Sequence, residues 1–206
     1  MTSPSVPAHI EHGAFLIFPT GTDPQALDIK PGESPDDTLG HMSVRDPGVL
    51  TVDSPADLSA EQRAMVREPQ FLPPGFELDR VHVIAFPDGR PFQTTLVYFR
   101  DTNEGRELED ADLFVTRTLS MQPPVIVVEP GTDRLGEGIR AWTITPMSVS
   151  GHPAIYHDFT NNAQASRVEQ QSDGIQWFDD EGIFNAVIGW DLPSDDITRI
   201  ATSTAP

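Results

Sequence analysis

Proline and glycine punctuate this chain so often that they decide its class before any motif is considered. Twenty Pro and 15 Gly are spread over 206 residues. Most segments between them are rich in β-branched and aromatic residues, the composition of strands rather than of long helices. Two hairpins are expected. Glu77 to Phe86 and Phe92 to Arg100 alternate as half-buried strands do, with Pro87-Asp88-Gly89-Arg90 as the turn between them. Ile175 to Phe178 and Ile183 to Gly189 flank Asp179-Asp180-Glu181-Gly182, an acidic turn ending on the residue type that tolerates positive φ. Further strands are expected at Leu113 to Leu119, Val125 to Glu129, Ala141 to Thr145, Val149 to Ser150 and Ala154 to Phe159, set apart by Pro123-Pro124, Pro130-Gly131, Pro146 and Gly151-His152-Pro153.

Two helices bracket this run. Ser59 and Gln62 form a capping box, Glu61 sits in the positive first turn, and Pro69 stops a helix that the pattern extends to about Arg67. Leu58, Met65 and Val66 would face the core. The second helix runs from about Asp195 to Ala201, with Ser194 as its N-cap and Ile197, Ile200 and Ala201 as an apolar stripe. Strands grouped between helices predict an α+β fold with a curved, mostly antiparallel sheet and two flanking helices. Residues 1–57 read as a polar, Pro- and Gly-rich extension with short strands at Ala14 to Phe18 and Val49 to Val52; residues 58–203 read as the α+β domain.

Composition removes several partners. A formal charge of -19 comes from 32 acids against 13 bases, and Lys30 is the single lysine. Phosphate backbones and anionic membranes need clustered Lys and Arg, and the arginines here are isolated, so no nucleic-acid partner is expected. With no Cys, thiol catalysis, disulfides and thiolate metal sites are absent. The longest apolar runs, such as Ala14 to Phe18, fall far short of the roughly 20 residues of a spanning helix, so no transmembrane segment is expected. Met1 to Pro7 has neither a basic n-region nor an apolar h-region. Either the protein is cytoplasmic, or a signal or anchor has been trimmed from an extracytoplasmic one.

The ordered segments resemble a known family. Phe71-Leu72-Pro73-Pro74-Gly75-Phe76-Glu77-Leu78 is similar to the opening of an uncharacterised domain found at the extracytoplasmic end of bacterial anti-sigma factors and in related lipoproteins. Val149-Ser150-Gly151-His152-Pro153-Ala154 resembles that family's turn, and Gln176-Trp177 with Asp180-Glu181-Gly182 and Ile183-Phe184 resembles its Trp-Gly hairpin. Leu192 to Ile197 and Ile200 to Ser203 resemble its closing helix. The resemblance spans about residues 71–203; Phe184 stands where the family has Tyr, and Met121 to Trp142 is longer than its pattern. It implies a lipoprotein-carrier-like fold and a non-enzymatic, extracytoplasmic module, and brings no catalytic residues with it.

Few residues combine into a chemical site. Trp142, Trp177, Phe178 and Phe184 are the aromatic candidates for holding an apolar ligand. Asp101, Asn103, Asp110 and Asp112 are the densest oxygen-ligand candidates for a cation, although Arg106 stands where an EF-hand needs Gly. His152, His157 and Asp158 could serve a metal-assisted hydrolase, while His9 and His12 flank Glu11 near the chain end; neither pair has the helical spacing that places two imidazoles on one face. Gly136-Glu137-Gly138-Ile139-Arg140-Ala141 satisfies a dinucleotide-type G-x-G-x-x-A, but a strand-like Trp142-Thr143-Ile144 follows it, so it reads as a hairpin or loop and no cofactor is expected. No phosphate-binding G-x-x-x-x-G-K-[ST] loop and no G-x-S-x-G elbow occurs.

The expected function is therefore a non-enzymatic extracytoplasmic sensory, scaffolding or ligand-binding domain for a protein partner or an apolar envelope ligand. The alternatives are the metal-assisted hydrolase and an assembly or surface-layer subunit whose polar arm, about Asp23 to Asp57, reaches a neighbour.

Overall fold

The computed structural model describes residues 8–9, 15–17, 48–100, 111–119, 126–128, 131–135, 138–160 and 172–205. In chain order the strands are β1 (Ala8–His9), β2 (Phe15–Ile17), β3 (Gly48–Val52), β4 (Phe76–Ala85), β5 (Pro91–Arg100), β6 (Leu113–Leu119) and β7 (Ile126–Val128). They continue with β8 (Gly131–Leu135), β9 (Gly138–Val149), β10 (His152–Thr160), β11 (Ser172–Phe178) and β12 (Ile183–Trp190). Helices α1 (Ala60–Ala64) and α2 (Ser194–Thr204) complete the described elements, with a 3-10 turn at Pro55–Asp57 before α1.

Nine strands form one sheet in the order β3-β4-β5-β6-β12-β11-β10-β9-β8. Every pairing is antiparallel. The order is two meanders, β3 to β6 and β8 to β12, joined where β6 meets β12 in the middle of the sheet. A separate three-stranded sheet has the order β1-β2-β7. The fold is thus the expected α+β arrangement. β3, from the stretch read as an extension, forms one edge of the main sheet, while residues 23–47 of that stretch lie outside the described residues.

Turn chemistry explains the hairpins. Val149 pairs with His152, which leaves Ser150-Gly151 as a two-residue turn with φ of 50° and 92°; both central positions of a type I′ turn need positive φ. In the β4–β5 turn, Gly89 has φ 87° and its N–H donates to Phe86 O at 2.8 Å. Of the G-x-G-x-x-A stretch, Gly138 to Ala141 lie in β9, where a nucleotide-binding motif would need a helix, and Gly136 and Glu137 lie outside the described residues.

Both helices pack on one face of the main sheet. Ile197, Ile200 and Ala201 of α2 and Leu58 and Val66 beside α1 share a core with Val81, Val83, Leu96, Leu113, Val115, Ile175, Trp177 and Val187. Alternation within each strand puts these residues on the same side. Burying an Ile or Leu side chain of this kind contributes about 1.5–3 kcal/mol, so α2 is held by packing rather than by its propensity.

Three local features differ from the sequence reading. The first is that α1 ends at Ala64, short of Arg67. In a continuing helix the Met65 carbonyl would accept from the N–H of residue 69, but Pro69 has none. Instead that carbonyl accepts from the Thr94 hydroxyl at 3.1 Å and from Arg117 Nη1 at 3.4 Å. The predicted capping box is present, with Ser59 and Gln62 exchanging bonds of 3.2 and 3.1 Å. Secondly, α2 begins at Ser194 and runs to Thr204, so Pro193, not Ser194, is the N-cap and no side chain caps it. The Thr198, Thr202 and Thr204 hydroxyls donate back to carbonyls one turn earlier. Thirdly, Pro146 interrupts nothing: β9 runs through it, past the end of its pairing with β8, where a missing N–H is tolerated.

Candidate functional site

The face opposite the helices holds a pocket, and its floor follows from strand register. Thr51, His82, Thr95 and Thr116 lie directly across from one another on β3, β4, β5 and β6, making a polar row across four strands. One neighbouring row contains Val49, Ile84 and Gln93; the other contains Arg80, Val97, Phe114 and Ile188. Together Val49, His82, Ile84, Gln93, Thr95, Phe114, Thr116 and Ile188 line a cavity of about 370 Å³. That volume lies within the range of small-molecule sites. Val49 is 69% exposed, so the edge-strand side of the cavity meets solvent.

Within the row the hydrogen bonds are sparse. Thr51 Oγ1 is 2.8 Å from His82 Nδ1, Thr95 Oγ1 is 3.1 Å from Thr116 Oγ1, and Gln93 Nε2 donates to Thr95 Oγ1 at 3.3 Å. His82 Nε2 is shielded from solvent and has no hydrogen-bond partner among the described residues. Burial pushes the His82 pKa below its ordinary value; the Arg80 cation adds to this and the Asp79 carboxylate offsets part of it. Arg80 itself is paired with Asp79 and lies over the Phe99 ring.

A second polar group lies under the helices and is organised differently. Arg117 and Asp179, each with a side chain only 3% exposed, pair at 2.5 Å. Arg117 Nε also donates to Asn185 Oδ1 at 3.0 Å, and Asn185 Nδ2 donates to Ile183 O at 2.8 Å. Asp179 Oδ1 accepts the N–H groups of Glu181 and Ile183, both at 3.0 Å. Counting Arg117 Nη1 on Met65 O, the group ties β6, the β11–β12 turn and the end of α1 together. Its hydrogen-bonding capacity is turned on itself, which is the arrangement of a structural clasp.

The residues singled out in the sequence are distributed over both faces. Trp177 is fully buried in the core beneath the helices, whereas Phe178, its neighbour in β11, points to the opposite face. There Phe178 meets Phe184 edge-on at 5.6 Å beside Ile155. The sheet separates Trp177 from that pair. Trp142 is a β9 position opposite Phe159, and its side chain lies outside the described residues.

Asp101, Asn103 and Asp110 lie outside the described residues. Asp112 is buried, and its Oδ2 accepts the Arg100 N–H at 2.7 Å, so it anchors the chain's return into β6. His152 is 3.7 Å from the Asp180 carboxylate. His157 and Asp158 are consecutive on β10 and point to opposite faces. Burial lowers the His157 pKa, and a bond to Gln176 offsets part of this. Among the described residues no three His, Asp or Glu side chains group as metal ligands would.

Sequence reasoning missed His82, Thr95 and Thr116. Their signal was present in the alternation of Arg80, His82 and Ile84 and of Gln93, Thr95 and Val97, but only strand register aligns the polar positions into a row. No helix among the described residues is long and apolar enough to cross a membrane. No family model, no curated protein and no solved structure matches this chain.

Proposed function

We propose that this chain is a non-enzymatic binding domain of sensory or scaffolding type, acting outside the cytoplasm, that holds an apolar ligand in the pocket on the outer face of its sheet. The observation that carries this reading is the 370 Å³ cavity with Val49, Ile84, Phe114 and Ile188 in its walls. An apolar cavity with a few polar groups is the usual form of a small-ligand site. The opposite face is filled by the helices and the core, which leaves the outer face as the side for recognition. The resemblance to the extracytoplasmic, lipoprotein-carrier-like domain of anti-sigma factors supplies the location and the sensory role in this proposal.

Fluorescence of N-phenylnaphthylamine, a probe that brightens in apolar sites, tests it. The parent protein is expected to enhance the signal saturably. Ile84→Asp and Ile188→Asp place a carboxylate in the pocket and should abolish the enhancement while leaving the circular dichroism spectrum intact. A parent protein that gives no saturable signal removes the reading.

A further inference from the structure

The pocket's chemistry is narrower than apolar, and the following step rests on the binding reading above. Thr51 Oγ1 and His82 Nδ1 share a hydrogen bond of 2.8 Å. With the Thr51 hydroxyl as donor, Nδ1 accepts and the hydrogen of the neutral ring sits on Nε2. That nitrogen is buried and lacks an acceptor among the described residues. His82 stands directly opposite Thr95, and Thr95 opposite Thr116. Two hydroxyls that share one bond use one hydrogen in it and leave the other over. Gln93 Nε2 already donates to Thr95 Oγ1, so an added partner at this pair is best an acceptor.

In that tautomer the row has one spare donor at His82 Nε2 and another at the Thr95–Thr116 pair, among residues that line an apolar cavity. A buried donor without an acceptor is costly, and a ligand oxygen would relieve both at once. Charge selects further. Burial and the Arg80 cation lower the His82 pKa, with Asp79 offsetting part of this, so the balance favours the neutral ring. Arg80 is already paired with Asp79, and the chain as a whole has a formal charge of -19. Nothing in the row offers a full positive charge to an anion, and the field of the protein repels one.

We propose that the pocket binds an uncharged amphiphile whose apolar body lies against Val49, Ile84, Phe114 and Ile188 and whose carbonyl oxygen accepts from His82 Nε2 and the Thr95–Thr116 pair. Neutral esters and amides belong to this class; free carboxylates and plain hydrocarbons do not.

Displacement of N-phenylnaphthylamine by glycerol monolaurate and by laurate tests the inference. Glycerol monolaurate is expected to bind about tenfold more tightly than laurate, the size of one well-made hydrogen bond. His82→Leu should weaken glycerol monolaurate about tenfold more than it weakens the naphthylamine probe. His82→Gln, which restores an N–H donor, should recover part of the loss, and Thr95→Val with Thr116→Val, close in shape to the parent, should reproduce it. If the probe binds but the ester is indifferent to all of these variants, or laurate binds more tightly than the ester, the carbonyl inference is overturned and the apolar pocket stands. If the parent binds neither probe nor ester, the pocket reading fails and takes this inference with it.

Discussion

Two polar groups on opposite faces of the same sheet use their hydrogen-bonding capacity to different ends. Beneath the helices, Arg117, Asp179 and Asn185 meet one another, two turn N–H groups and the Met65 carbonyl. On the outer face, Thr51, His82, Thr95 and Thr116 make two bonds among themselves, and the buried His82 Nε2 stays without a partner among the described residues. A buried network whose members satisfy one another holds a structure in place, whereas one with spare donors is incomplete until something binds. The difference separates a clasp from the proposed site.

The largest expected effect tests the clasp. Arg117→Ala leaves the Asp179 carboxylate buried without its cation and should cost about 3–5 kcal/mol, read from the urea unfolding midpoint. A loss below about 1 kcal/mol would mean that the pair is not the buried anchor described above. Next in size is the contrast in packing between the faces. Ile200→Ala, in the fully buried stripe of α2, should cost about 2–4 kcal/mol, while Ile84→Ala, in the half-buried pocket wall, should cost clearly less. Equal losses at the two sites would show that the outer face is packed as a core.

Acid titration gives a smaller effect with a definite sign. His82 and His157 both have pKa values lowered from 6.5 in the folded protein by burial. The unfolded chain therefore takes up protons first as pH falls. Stability from these two residues is fully present above about 6.5, the ordinary histidine value, and is lost as pH drops through their folded values. His82→Leu should flatten part of that decline in unfolding curves recorded from pH 7 to pH 5, and an unchanged slope would place His82 in water. The smallest effect belongs to Thr95→Val, which should leave the unfolding free energy within about 0.5 kcal/mol of the parent, because its half-buried neutral hydrogen bonds to Gln93 and Thr116 contribute little to the fold. A large loss there would make the polar row a second clasp.

Much of the architecture was legible in local patterns. The Pro87 to Arg90 and Asp179 to Gly182 turns both join antiparallel strands, and Leu113 to Leu119 is strand β6 as expected. These readings succeed because alternation and turn residues act over a few neighbouring positions. The end of α1 was less legible, since the Met65 carbonyl finds its partners in Thr94 and Arg117, which are distant in sequence. The aromatic set divided for a related reason. Trp177 and Phe178 are adjacent in the chain, and adjacency in a strand sends side chains to opposite faces. The polar row was hidden by pairing: a shift of one residue in any strand would have sent its member to the other side.

From the sequence alone came the α+β class, the positions of most strands, two helices bracketing a sheet and the acidic character that argues against polyanionic partners, because composition and short-range periodicity act locally. The joining of two meanders at β6 and β12, the choice of which face the helices cover, and the alignment of His82 with Thr95 and Thr116 were decided only in the folded chain. Those features depend on register between strands far apart in sequence, and register is set by the whole set of packed faces rather than by any one segment.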